Sequence, residues 1–201
     1  MKNGLVIFAM FLSAFLLKAE DNKQFELRES NWNIGLSSKY SEVNALGAGW
    51  LGLFGSYQIG ANFELGLRGE ALYFDRKLND IDPLKSYHLQ AGHAGFFIDW
   101  HPFGKGDIHF SIPLYMGKGE VFYIYDKEFR KDMKWSDEII DKTTFSIWQL
   151  GIEGEARISN NWTLSLNVNY QFTSPIEMIQ TNENLFTALQ LGIGIKYNFG
   201  K

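Results

Sequence analysis

Several groups of residues in this 201-residue chain have types and spacings that can do chemistry. Glu153 and Glu155 stand two apart in LGIEGEARI, on one face of an extended backbone, as the paired carboxylates of a glycosidase would. His101 and His109 flank the stretch from Pro102 to Gly106. Folded back at that turn they face one another, but two imidazoles are only half of an ordinary metal site. Asp80, Asp82, Ser86 and His88 gather an acid, a base and a hydroxyl near one loop, the parts of an activated nucleophile, although any polar loop collects such a set. Gly47-Ala48-Gly49-Trp50-Leu51-Gly52 spells the dinucleotide fingerprint. That motif works where a strand precedes it and a helix aims its N-terminus at pyrophosphate, whereas Leu53 to Ile59 here continues as strand. Asn161-Trp162-Thr163 spells a glycosylation sequon inside a tight turn. The expectation is a chain without catalytic residues, cofactor or metal, in which His88, His93, His101 and His109 are structural or interfacial.

The elements that must position these residues are strands. In the last stretch, Leu189, Leu191, Ile193, Ile195, Tyr197 and Phe199 alternate with Gln190, Gly192, Gly194, Lys196 and Asn198, the period of two that marks a strand with one apolar face. The pattern recurs upstream. Trp162, Leu164, Leu166, Val168, Tyr170 and Phe172 alternate with polar residues, and a turn at Ser159-Asn160-Asn161 sets Gly154 against Leu166 and Glu155 against Ser165, keeping apolar opposite apolar. Similar runs predict eight strands at about 31–41, 48–59, 62–75, 86–101, 107–118, 143–158, 161–173 and 185–199, an even number that lets the first and last pair antiparallel. Leu89 and Ala91 fall out of phase with Phe96, which predicts a bulge near Gly92 or Gly95. Short turns alternate with long connections near 76–85, 119–142 and 174–184, the asymmetry of a membrane barrel with its short ends on the inner side.

Composition agrees. Aromatic residues make up 16% of the chain, with 20 glycines and no cysteine, which suits a β-rich chain without disulfides. Lys2, the apolar run from Gly4 to Leu17 and Ala19 have the form of a secretory signal, so residues 1–19 are expected to be a leader and 20–201 a single barrel domain. Removing Lys2 and Lys18 takes the formal charge from −4 to −6. Such an acidic chain has no basic stripe for nucleic acid. No later stretch approaches the roughly 18 consecutive apolar residues of a transmembrane helix, so in lipid this chain must be a closed barrel.

A soluble barrel of the lipocalin type, holding an apolar ligand, also alternates, with its apolar face inward. Two features favour the opposite orientation. Aromatic residues collect at both strand ends, with Trp32, Tyr57, Phe63, Trp100, Trp162 and Phe199 near the short turns and Tyr40, Tyr73, Tyr87 and Tyr170 near the loops, as interfacial girdles do. The other face carries glycine, serine and amides with Glu64, Arg68, Glu70, Glu153, Glu155 and Arg157. In the narrow lumen of an eight-stranded barrel these are expected to pair, Arg68 and Arg157 neutralising the glutamates. Trp50, Phe54, Leu72, Tyr115 and Phe186 share the inward parity and are expected to block a water path. The 119–142 connection mixes both signs of charge with Phe122, Tyr123, Tyr125, Phe129 and Trp135, a composition suited to contact with an extracellular ligand.

Gly194, Tyr197 and Phe199 resemble the C-terminal strand signal of outer-membrane barrels, a glycine followed by apolar residues at alternate positions. The chain departs from that pattern at Gly192, where a polar residue is usual, and in Gly200-Lys201 after the last aromatic. Over residues 31 to 199, and most specifically in LGIEGEARISNNWTLSLNVNYQF, the sequence resembles the small OmpA/OmpX-type outer-membrane β-barrel family. The resemblance implies an all-β, eight-stranded antiparallel up-and-down transmembrane barrel of a Gram-negative outer membrane. It also implies contacts with outer-membrane lipid and with the barrel assembly machinery. A lipid-modifying barrel enzyme is the less favoured alternative.

Overall fold

The computed structural model describes residues 32–43, 46–60, 62–74, 77–78, 87–103, 106–125, 134–179 and 181–199. The expected leader at 1–19, Asp80, Asp82, Ser86 and Phe129 lie outside the described residues. The strands are β1 (Trp32–Val43), β2 (Leu46–Ile59), β3 (Phe63–Tyr73), β4 (Lys77–Leu78), β5 (Tyr87–Trp100), β6 (Ile108–Tyr125), β7 (Ile139–Arg157), β8 (Trp162–Thr173) and β9 (Ala188–Asn198). A single helical turn, α1 (Trp135–Glu138), precedes β7. Each strand pairs antiparallel with its neighbour, β9 returns to β1, and β3 pairs with β5 from Phe63↔Trp100 to Ala71↔Gly92. Eight strands therefore close into a barrel, and β4 is a two-residue addition to the far end of β5.

The hairpin registers follow from parity. Gly154 faces Leu166 and Glu155 faces Ser165 across β7 and β8, because a one-residue slip would turn every apolar side chain to the wrong face. The β2–β3 turn closes on Gly60, whose φ of 61° is left-handed and costs glycine nothing.

Two expectations about the elements are corrected. First, β5 pairs with β6 without interruption from Tyr87 to Trp100, so no bulge occurs at Gly92 or Gly95; Leu89 and Ala91 simply point inward. The register shift lies instead at Tyr123/Ile124, where β6 meets β7. Second, β6 and β7 run to 18 and 19 residues, so much of the expected 119–142 loop is strand. Both errors have one cause: towards the long-loop end the apolar side chains change faces, which looks like a phase break or a loop when only one face is followed.

Over most of the barrel height the apolar side chains face outward. Leu36, Leu53, Leu67, Phe96, Leu150, Ile152, Leu191 and Ile193 are exposed on the outer surface, while Lys39, Glu64, Arg68, Glu70, Asp99, Glu153, Glu155 and Lys196 are buried inside. This is the reverse of a lipocalin-like barrel, and it overturns that alternative. At the long-loop end the interior is apolar, with Val43, Trp50, Leu89, Val121, Phe145 and Ile147 packed against Ile176, Leu185 and Phe186 from the β8–β9 connection.

Candidate functional site

The interior charges form two layers held by strands from all around the barrel. Near the short turns, the Lys196 ammonium on β9 lies 2.6 Å from Glu155 Oε1 on β7 and 3.3 Å from Glu64 Oε2 on β3. Glu64 also accepts hydrogen bonds from Asn33 at 3.2 Å and from the Ser56 hydroxyl. His109 Nε2 is 2.8 Å from Glu155 Oε2, and His101 Nε2 is 3.9 Å from Glu64 Oε2. One ammonium and two imidazoles thus surround two carboxylates in a space from which water is largely excluded. Such a buried pair holds only when nearly every charge has a counter-charge or hydrogen bond.

The second layer lies higher. Lys39 Nζ on β1 sits 2.5 Å from Glu70 Oε1 on β3 and donates to Gln149 Oε1 at 2.8 Å. His93 places Nε2 3.4 Å from Glu70 Oε2 and Nδ1 2.8 Å from the Tyr115 hydroxyl. Gln149 and Gln190 each donate to Gln171 Oε1 at 2.8 Å, and Gln171 donates to the Phe186 carbonyl at 2.9 Å. Between the layers the Arg68 guanidinium lies over the Phe54 and Phe97 rings, 5.4 and 4.7 Å from their centroids. This cation–π arrangement replaces part of its lost hydration. Asp99 on β5 and Glu153 on β7 are also buried inside, Asp99 opposite Glu64 and Glu153 opposite Ser111 and Asn167 in the register.

The pairing differs from that expected of the sequence. Arg157 does not neutralise an interior glutamate: it ends β7 at the rim, a quarter exposed, with Nη1 3.6 Å from Asp107. Lys196 and Lys39 do that work instead. Both occupy the polar parity of regular strands, so their interior placement was legible in the alternation while their partners on distant strands were not. The histidine contributions were not, because His93 is brought to Glu70 by β3–β5 closure. His101 and His109 do meet, with ring centroids 5.2 Å apart, but each faces a glutamate. Among the described residues no group of three or more histidine or acidic side chains is gathered as metal ligands. Glu153 and Glu155 lie on one face as expected, yet both Glu155 oxygens are engaged, by Lys196 and His109.

The residues of the terminal strand form an outer aromatic cluster. Tyr197 packs edge-on against Trp162 at 5.0 Å and against Phe199 at 5.0 Å, and Gly194 sits between Ser37 and Ser165 in the register. The candidate contact residues scatter. Phe122 faces outward from β6, half-buried, and Tyr125 ends that strand, while Trp135 opens α1. Tyr123 is buried inside, its hydroxyl 2.8 Å from Thr181 Oγ1, so it is part of the interior and not of a contact surface.

A closed antiparallel barrel of eight strands, apolar outside and charged within, is the fold of the small outer-membrane barrels of the OmpA/OmpX type. Neisserial surface protein A shares it with a TM-score of 0.55 at 10% identity, the alignment covering 84% of this chain and 97% of that one. A major outer-membrane protein from Thermus thermophilus aligns with a TM-score of 0.50 at 11% identity over 84% of this chain and 99% of its own. No protein-family model and no curated protein matches the sequence.

Proposed function

We propose that the chain is an integral outer-membrane β-barrel of a Gram-negative envelope with a structural or surface-contact role, non-enzymatic, and with a lumen filled by its own side chains. The observation that carries this reading is the pair of opposed faces: an apolar belt ringed by aromatic residues outside, and ion-paired charges inside. Only a hydrocarbon solvent makes that the favourable orientation, because it offers no partner for charge and no penalty for exposed leucine. Trp50, Phe97, Tyr115 and Phe186 are buried across the interior, which supports a lumen without a continuous water path. Delivery would use the leader at 1–19 and the assembly machinery that reads the terminal strand; any extracellular partner would meet the long-loop end.

The test combines fractionation with conductance. The protein should sediment with outer membranes and migrate differently in SDS gels before and after boiling, and the purified barrel should give no stable large-conductance pore in planar bilayers. A water-soluble product without a heat-modifiable band would defeat the membrane reading. Reproducible porin-like current would defeat the filled lumen alone.

A further inference from the structure

The polarity of both barrel faces reverses at one height. Reading upward from the short turns, the outward apolar series ends at Tyr40 on β1, Tyr73 on β3, Met116 on β6, Trp148 on β7, Phe172 on β8 and Leu189 on β9. The next outward positions are Glu42 on β1, Lys118 and Glu120 on β6, and Ser146, Thr144 and Lys142 on β7. Inside, the change runs the other way at the same level. Ser41 gives way to Val43, Glu70 to Leu72 and Phe74, His93 to Ala91 and Leu89, Tyr115 to Val121, and Gln149 to Ile147 and Phe145. Above this ring the barrel is built like a water-soluble protein, polar outside and apolar inside; below it the order is inverted. Half-buried Phe122 is an outward aromatic that β6 carries above the ring.

The height of the ring can be checked from strand geometry. From Trp162 to Phe172 on β8 is ten residue steps. At about 3.4 Å each and a tilt of about 40° this gives about 26 Å. The eight steps from Trp32 to Tyr40 on β1 give about 21 Å by the same arithmetic. An outer-membrane barrel's apolar band is about 25 Å tall. We infer that the outer lipid surface meets the barrel at this ring, and that the described strands above it form a water-bathed extension folded on its own apolar core and closed by residues 174–179 and 181–187. This deepens the membrane reading and rests on it.

The closing segment is held by several independent contacts. Ile176, Leu185 and Phe186 enter the apolar core, and the Phe186 ring packs on Trp50 at 5.4 Å and Phe145 at 5.3 Å. Ser174 N donates to Ser146 O at 2.9 Å and Ile179 N to an Asp141 carboxylate oxygen at 2.9 Å. The extension thus gives the outer surface a floor that does not depend on lipid, with Lys118 at headgroup level and Glu120 and Lys142 above it.

The chain has no cysteine, so single cysteines can be spin-labelled without background at four outward positions, Leu114, Leu150, Thr144 and Glu120. In phosphatidylcholine–phosphatidylglycerol vesicles, labels at 114 and 150 should be relaxed by oxygen, and labels at 144 and 120 by a water-soluble nickel chelate. Oxygen-dominated relaxation at 144 and 120 would overturn the inferred boundary while leaving the membrane reading intact. Nickel access at all four positions would defeat the membrane reading itself. As a second arm, Val121→Asp should make the 174–187 segment sensitive to added protease while the heat-modifiable barrel persists, whereas the outward Thr144→Asp should not. A segment as resistant in Val121→Asp as in the parent would show that the upper core does not hold it, and would overturn the inference.

Discussion

At the scale of single residues, the interior depends more on Lys196 than on Arg157. Its ammonium is within 3.3 Å of carboxylates on two other strands, and its side chain is almost fully enclosed. Lys196→Met removes the charge while keeping the length of the side chain, and leaves Glu64 and Glu155 buried with one shared cation fewer. Breaking a buried pair in this way costs about 3–5 kcal/mol. Arg157→Met should cost less than about 1 kcal/mol, because its contact with Asp107 is open to solvent at the rim. Urea unfolding in lipid or detergent separates the two; equal midpoints would mean that water reaches the interior charges freely.

At the scale of elements, strand count, parity and hairpin register were legible because apolar and polar residues alternate over most of residues 32–40, 63–73 and 162–172, with Ser38, Gly69 and Leu72 as exceptions. What was not legible came from the solvent, which a single face of a strand does not report. Leu89 and Ala91 looked out of phase because the apolar face moves inside towards the long-loop end of β5, and β6 looked finished at Lys118 for the same reason. The charged site was half legible: Glu64, Glu70 and Glu155 are interior as parity requires, but their cations come from strands far apart in sequence, which local pattern cannot pair. Close strand packing makes its own prediction. A Cβ at Gly95 would run into the Met116 carbonyl and the Gly117 Cα, whereas one at Gly55 would meet only Asn33 O at 3.8 Å. Gly95→Ala should therefore lower the unfolding midpoint and Gly55→Ala should leave it nearly unchanged. The likeness of the terminal strand to the outer-membrane assembly signal predicts a role in assembly. Tyr197→Ala with Phe199→Ala removes the aromatic cluster around Trp162 and the apolar positions that resemble the assembly signal, and should leave a protease-sensitive form outside the membrane. Normal insertion of that double variant would show that the ending is not read.

At the scale of the whole molecule, one continuous set of strands carries two parts of opposite face polarity, which decides how far the long-loop end can be altered. Residues 119–125 and 139–142 are strand, and Val121 and Tyr123 belong to the core that receives Ile176, Leu185 and Phe186. Replacing all of 119–142 by a short glycine-serine turn should therefore release the 174–187 segment as well as removing a loop, even though the lipid-level ladder remains. Replacing only 126–133 leaves the described strand pairing and the described inward side chains in place, and should leave unfolding unchanged. The comparison also locates any surface contact. Binding to a partner that is lost in both variants would assign it to 126–133, and binding lost only in the longer replacement would assign it to the floor formed by the extension and its closing segment. Limited proteolysis of the two purified variants gives the structural half of the answer: the longer replacement should be cut within 174–187 and the shorter should not. Equal resistance would mean that the contacts outside 119–142, Phe186 with Trp50 and Phe145 and Ser174 with Ser146, hold the closing segment by themselves.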